Sequence, residues 1–177
     1  SACLVGSEMC IRDSDYTVAA WWKQEGDNAA STWQSIMTSR SSAEPGPKGY
    51  MMYLTPSNNY LDYWKGTTSS GSWVKNTSTS QSDWKANGGG NPGTPGWNYY
   101  VIRFNGSNQT DLFLDGALIK SVTSSKIMNV QNTTRPTRIG AGATENAGAQ
   151  YFFKGKIDDV AVWDEALTDA EIYALYN

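Results

Sequence analysis

Lys154-Gly155-Lys156-Ile157-Asp158-Asp159-Val160-Ala161-Val162-Trp163-Asp164-Glu165-Ala166-Leu167-Thr168-Asp169-Ala170-Glu171-Ile172-Tyr173-Ala174-Leu175-Tyr176-Asn177 closes the chain, and this stretch decides the fold. Lys156–Trp163 reads as a strand that runs straight into a short helix. Thr168 is placed to cap that helix, and Glu171 falls three positions on, which completes a capping box. Leu167 and Ile172 bracket the box as a hydrophobic staple. Asp169 puts negative charge where the helix dipole favours it. Ile172, Leu175 and Tyr176 fall on one apolar face at helical spacing.

Upstream of this ending, runs with a period of two alternate with turn residues, the pattern of an all-β chain. Tyr16–Lys23 and Gln34–Ser39 are the first two expected strands. Gly49–Thr55 and Tyr60–Lys65 make a hairpin over Pro56-Ser57-Asn58-Asn59. Ser72–Lys75 is a weaker strand. In Trp97–Phe104, Tyr100, Ile102 and Phe104 alternate with Tyr99, Val101 and Arg103. Asp111–Leu114 and Ala117–Val122 flank Asp115-Gly116, a dipeptide that favours a tight hairpin turn. Pro136–Gly140 and Tyr151–Trp163 complete the set, the latter as two strands or as one bent at Gly155. Residues 66–80 and 86–96 are Ser/Thr- and Gly/Pro-rich and read as long loops. No internal repeat is visible.

Several of these stretches resemble a laminin-G-like domain of the concanavalin A-like lectin/glucanase superfamily. Tyr16-Thr17-Val18-Ala19-Ala20-Trp21-Trp22-Lys23 resembles the family's opening strand. Gly96-Trp97 with the alternation after it, Leu112-Phe113-Leu114-Asp115-Gly116 and Arg138-Ile139-Gly140-Ala141 resemble three further strands in the family's order. The strand-turn-helix ending is the most specific of these likenesses. The resemblance implies a two-sheet antiparallel jelly-roll sandwich with one short C-terminal helix packed against an end or edge. It says less about the ligand, since one fold hosts many functions.

The 177 residues suffice for one domain with a proper core. Fourteen Lys and Arg against 17 Asp and Glu leave a net charge near −3, which gives no electrostatic case for nucleic acid. No apolar run reaches membrane-spanning length. Histidine is absent, which removes the usual base of serine and cysteine hydrolases. Cys3 and Cys10, the only cysteines, lie together near the N-terminus and make no disulfide framework. Leu4–Ser14 closely resembles a translated sequencing adapter of the kind left on assembled metagenomic reads; the other reading is a natural first strand. On the adapter reading, residues 1–14 are a non-native or poorly packed extension. Residues 15–177 are then a single sandwich domain from a longer protein.

Aromatic residues are the expected ligand contacts, because a flat ring matches the apolar face of a sugar. Alternation puts Tyr60, Asp62 and Trp64 on one face, opposite Leu61 and Tyr63, which read as core. In the same way Tyr99, Val101 and Arg103 face away from Tyr100, Ile102 and Phe104. If their strands share a sheet, Tyr60, Trp64, Tyr99 and Arg103 form an outward platform. Of the adjacent pair Trp21 and Trp22, at least one belongs in the core. Trp33, Trp73 and Trp84 lie in or near loops, where each lines a rim or packs as a lid, and Trp84 joins the expected ligand contacts. Four glycosylation sequons occur, at Asn76, Asn105, Asn108 and Asn132, as an Asn/Ser/Thr-rich surface produces by chance.

For a metal, the resemblance implies Asp158. In related jelly-roll glucanases the aspartate that opens such a strand helps hold a structural calcium (Ca2+). Calcium takes six to eight oxygens, so other residues would have to complete the shell. Asp159 is expected on the opposite face from Asp158, so one strand does not pair them for catalysis. The glucanases of this superfamily carry an E-x-D-x-x-E strand, and this chain has none. The lyases it resembles rely on a histidine. The expectation is therefore a non-catalytic, lectin-like carbohydrate-binding module, extracellular, on a cell surface or virion-associated, with other domains of a parent protein as further partners. The alternative is a structural or adhesive domain of a surface or virion protein. An enzyme active on polysaccharide is the minor alternative.

Overall fold

The computed structural model describes residues 15–25, 32–41, 48–55, 61–65, 74–79, 96–105, 109–123, 136–142 and 148–177. For 41, 48, 61–65 and 74–79 it describes the backbone alone. Among the described residues, ten strands run in chain order: β1 Tyr16–Gln24, β2 Gln34–Ser41, β3 Lys48–Leu54, β4 Leu61–Lys65, β5 Val74–Thr79, β6 Asn98–Asn105, β7 Gln109–Leu114, β8 Ala117–Thr123, β9 Arg138–Ile139 and β10 Gly155–Trp163. One helix, α1 Asp169–Tyr176, follows them. The strands form two five-stranded antiparallel sheets, ordered β10-β1-β6-β7-β8 and β5-β4-β3-β2-β9. This is the two-sheet sandwich that the resemblance implies. Of the weak strand expected at Ser72–Lys75, Val74 and Lys75 lie in β5 and the first two residues lie outside the described ones; of the run Tyr151–Trp163, only Gly155–Trp163 is strand.

The core lies between the sheets. Tyr16, Val18, Ala20 and Trp22 of β1 meet Tyr100, Ile102 and Phe104 of β6 and Leu112 and Leu114 of β7. From the other sheet come Ile36 and Met37 of β2 and Tyr50, Met52 and Leu54 of β3. Tyr16 stacks on Phe104 with ring centroids 4.1 Å apart. Successive side chains alternate across a strand, so β1 must also present Thr17, Ala19 and Trp21 to the outer side. That outer face is apolar as well, and it is covered.

The cover is α1. Leu167 and Ile172 bury themselves against Ala19, Tyr99, Val101 and Phe113, with Trp21, Trp163 and Tyr176 at the margin. The helix therefore lies on the outer face of the β10-β1-β6-β7-β8 sheet, which corrects the expected seat at an end or edge. The capping box forms as expected: Thr168 Oγ1 accepts from the Glu171 amide at 3.2 Å, and the Glu171 carboxylate accepts from the Thr168 amide at 2.7 Å. Leu175 departs from the expected apolar face and is exposed. The chain entering the helix is held by Thr17, whose Oγ1 donates to the Glu165 carbonyl and accepts from the Leu167 amide.

Between β7 and β8, Asp115 and Gly116 both take positive φ, +50° and +77°, as a primed hairpin turn requires. A Cβ on Gly116 would sit 3.1 Å from the rings of Tyr173 and Tyr176, so this glycine also makes room for α1.

A bulge interrupts β10. Ala19 lies opposite Ala161 and Trp21 opposite Asp158, so the single Ala20 faces both Asp159 and Val160. Asp159 takes the extra position at φ +44°. The alternation expected between Asp158 and Asp159 is broken there. Ile157 and Val160, three apart, both pack on the core. Asp159 acts electrostatically on Tyr99, an outer-face residue.

Candidate functional site

The three expected platform residues that fall among the described ones divide between the two sheets. β6 carries Tyr99 and Arg103 in one sheet, and β4 carries Trp64 in the other. Sequence alternation fixes which residues share a strand face, but strand order across the sandwich depends on long-range pairing that no local pattern encodes. Tyr60 and Trp84 lie outside the described residues.

Tyr99 and Arg103 do face outward, but α1 lies over them. Tyr99 is 3% exposed, and its ring stands 5.1 Å from Trp21 and 6.3 Å from Tyr176. Burial and the nearby Asp159 carboxylate push its phenol up to about 12. The Arg103 guanidinium donates to Asp111 at 2.8 Å, to Asp169 at 2.6 Å and to the Leu167 carbonyl at 2.8 Å. It also lies over the Phe113 ring, 4.8 Å from the centroid. Burial works against its charge, but the hydrogen bonds to Asp111 and Asp169 win and raise its pKa. These two residues dock the helix, and their chemistry is used up in that task.

A different cluster gathers on the outer face of the second sheet. Tyr50, Met52 and Leu54 point to the core, so Met51 and Tyr53 point away from it. Arg40 Nη1 donates to Tyr53 Oη at 3.2 Å and approaches Met51 Sδ at 2.7 Å. Trp33 stands 5.6 Å from the Tyr53 ring, tilted at 58°. Tyr151 meets the same ring edge-on at 6.0 Å. Trp33, Arg40 and Tyr151 are half-exposed, whereas Met51 and Tyr53 are buried beneath them. The backbone register places Trp64 opposite Met51 and Asp62 opposite Tyr53.

The segment after β9 holds Tyr151 in place. Gly142 and Gln150 exchange backbone hydrogen bonds, the Tyr151 carbonyl accepts from the Ser35 amide at 2.8 Å, and Thr38 Oγ1 donates to the Ala141 carbonyl. Tyr151 itself sits at φ +52°, an unusual backbone for a bulky residue. Gly142 allows this closeness: a Cβ there would lie 2.7 Å from Tyr53 Oη and 3.2 Å from the Tyr151 ring. Strained backbone recurs at binding sites, where the surrounding structure holds it. Two flat rings, a tilted indole and a guanidinium on one sheet face can stack on a sugar and hydrogen-bond its hydroxyls or an acid group.

Residues 3–173 match the family model described as concanavalin A-like lectin/glucanases superfamily. The chain belongs to that superfamily. Among solved structures, this superfamily member is similar to the Ruminococcus gnavus IT-sialidase CBM40 bound to alpha2,6 sialyllactose, with a TM-score of 0.66 and 16% identity over 93% of this chain and 84% of that one. It is also similar to the NanB sialidase from Streptococcus pneumoniae, with a TM-score of 0.70 and 19% identity, over 93% of this chain but 24% of the sialidase. The botulinum neurotoxin serotype D binding domain aligns at a TM-score of 0.64 and 17% identity, over 93% of this chain and 37% of that one. At these identities the likeness is one of fold. No match is found among curated proteins.

Asp158 is exposed beside Asp159 on the β10 bulge, and its carboxylate accepts from the Asp159 amide at 2.9 Å. These are oxygen donors of the kind calcium takes. Among the described residues, however, no group of three or more acidic, cysteine or histidine side chains comes together. The described residues therefore fall short of a calcium shell. Also among the described residues, no helix is long and apolar enough to cross a membrane.

Arg40 and Tyr53 escaped the sequence reading, and Trp33 appeared there only as a loop residue. A signal for Tyr53 did exist. Gly49–Thr55 alternates Tyr50, Met52 and Leu54 with Met51 and Tyr53, and that second row lines the candidate site.

Proposed function

We propose that this chain is a non-catalytic carbohydrate-binding module that holds a glycan on the outer face of the β5-β4-β3-β2-β9 sheet. The observation that carries the reading is the cluster of Trp33, Tyr53 and Tyr151 with Arg40 at its edge. Trp33 and Tyr151 would stack on a pyranose ring, and Arg40 would bind hydroxyls or a carboxylate. The absence of histidine and of the E-x-D-x-x-E strand supports a binding role over hydrolysis. The similar R. gnavus module is bound to alpha2,6 sialyllactose in one structure and to alpha2,3 sialyllactose in another, which makes sialylated glycans the first candidates. Such a module acts outside the cell or on a surface, within reach of glycans.

A glycan array with sialylated and unsialylated lactose tests the reading, run with calcium and with chelator on wild type and Trp33→Ala. Binding that Trp33→Ala abolishes supports it. Silence under both conditions sinks it and leaves a structural or adhesive domain. Calcium at Asp158 is a separate proposal with its own readout. A chelator that lowers the melting temperature of wild type but not of Asp158→Asn supports that metal; equal melting removes it.

A further inference from the structure

The core ends in amide groups on the side where β1 finishes and β6 begins. Gln24 continues the core-facing row of Tyr16, Val18, Ala20 and Trp22. Asn98 lies opposite Trp22 in the β1–β6 register and so faces the same interior. Gln24 is 5% exposed and Asn98 1%. Among the described residues, both the Nε2 and the Oε1 of Gln24 are buried without a hydrogen-bond partner, and so is Asn98 Oδ1. Turning the Gln24 amide over exchanges its two atoms and leaves both unmet. A third amide, Gln34, closes the same end from the other sheet: its Oε1 accepts from the Lys154 amide, and the Lys154 carbonyl accepts from Glu25 beside Gln24.

Buried polar groups in folded proteins are nearly always satisfied, by protein or by ordered water. The chemistry here selects among ligands. Gln24 Nε2 needs an acceptor, while Gln24 Oε1 and Asn98 Oδ1 need donors. A metal cation serves the oxygens alone, and an anion serves the nitrogen alone. Water serves both. Gln24 and Asn98 are diagonal neighbours across the β1–β6 pair, a placement that sets Cβ atoms up to roughly 7–8 Å apart. At such a spacing a single water can reach both amide heads.

We propose that an ordered water, bound between the Gln24 and Asn98 side chains, is a built part of the core at this end of the sandwich. A high-resolution crystal structure of the chain is expected to show a water peak within hydrogen-bonding distance of both amides. Gln24→Met keeps the shape of the side chain and removes its polar atoms, so it reads the same site in solution. With a water present, the variant leaves that water or Asn98 short of a partner, and the melting temperature falls. If the amide is dry and unmet, removing it relieves a penalty and the melting temperature rises. Either a rise on Gln24→Met or a crystal structure with no water at the two amides would overturn the proposal.

Discussion

Arg103 and Asp169 meet at 2.6 Å across the junction between sheet and helix, a strand residue gripping the first residue of α1. The same guanidinium holds Asp111 from the neighbouring strand. The two contacts differ in worth. The Asp111 side chain is 2% exposed and the Asp169 side chain 68%. Arg103→Ala strands a buried carboxylate and is expected to cost about 3 kcal/mol. Asp169→Ala removes a solvent-screened partner and should cost less than about 1 kcal/mol. Urea unfolding of both variants checks the ratio; equal losses would contradict the assignment.

Stability should fall at both ends of the pH scale, for different reasons. Burial pushes the Asp111 carboxyl up, but hydrogen bonds from Ser121, Gln109 and Arg103 outweigh it and hold the pKa below the ordinary value. Its contribution is present above the unfolded carboxylate pKa and is lost as pH drops through the lower folded value. Asp115 opposes this trend, since burial raises its pKa and costs stability as pH rises through the folded value. At the alkaline end, Tyr99 is raised to about 12. Its contribution is intact below the ordinary tyrosine pKa and disappears as pH rises toward 12. Tyr99→Phe should flatten the alkaline limb of a stability-pH curve and leave the acid limb alone.

The two sheet faces should separate cleanly in binding assays. Trp33→Ala and Tyr53→Phe alter the proposed glycan face, whereas Tyr99→Phe lies under α1. Binding to an immobilised sialylated glycan is expected to drop at least tenfold for Trp33→Ala, to weaken for Tyr53→Phe and to hold for Tyr99→Phe. Loss of binding in Tyr99→Phe with an unchanged melting temperature would move the site to the helix side.

Thr168→Ala removes the side-chain half of the capping box, with the hydroxyl's donation to the Glu171 carboxylate, keeps the half made by the Thr168 amide, and should cost about 1 kcal/mol. The loss should be local at first. Because α1 covers Tyr99 and stacks Tyr176 on Trp21, fraying of the helix exposes those rings. Near-ultraviolet circular dichroism should therefore change at lower temperature than the far-ultraviolet strand signal.

The helix, its cap and its staple were legible in the sequence because each depends on residues a few positions apart. Strand existence was legible for the same reason, through the period of two. What covers the outer face of β1 and β6 was half-legible. Thr17-Val18-Ala19-Ala20-Trp21-Trp22 and Tyr99–Phe104 are apolar on both faces, a mark of strands buried on both sides. Taken with the apolar side of α1, that doubled pattern points to the helix as lid. The bulge at Asp159 left no trace, because an aspartate, not a glycine, takes the positive φ. Nor did the division of Trp64 and Tyr99 between sheets, which is a property of the whole chain's winding.

That bulge has a consequence for how copies of this chain meet. Among the described strands, β10 stands at the margin of its sheet, and a marginal strand offers a row of backbone groups with which a second chain could pair. An extra residue at Asp159 throws that row out of step, and two adjacent carboxylates repel an incoming strand at the same point. A bulge and paired charges of this kind disfavour sheet-to-sheet growth, here along a margin that carries Ile157, Val160, Val162 and Trp163.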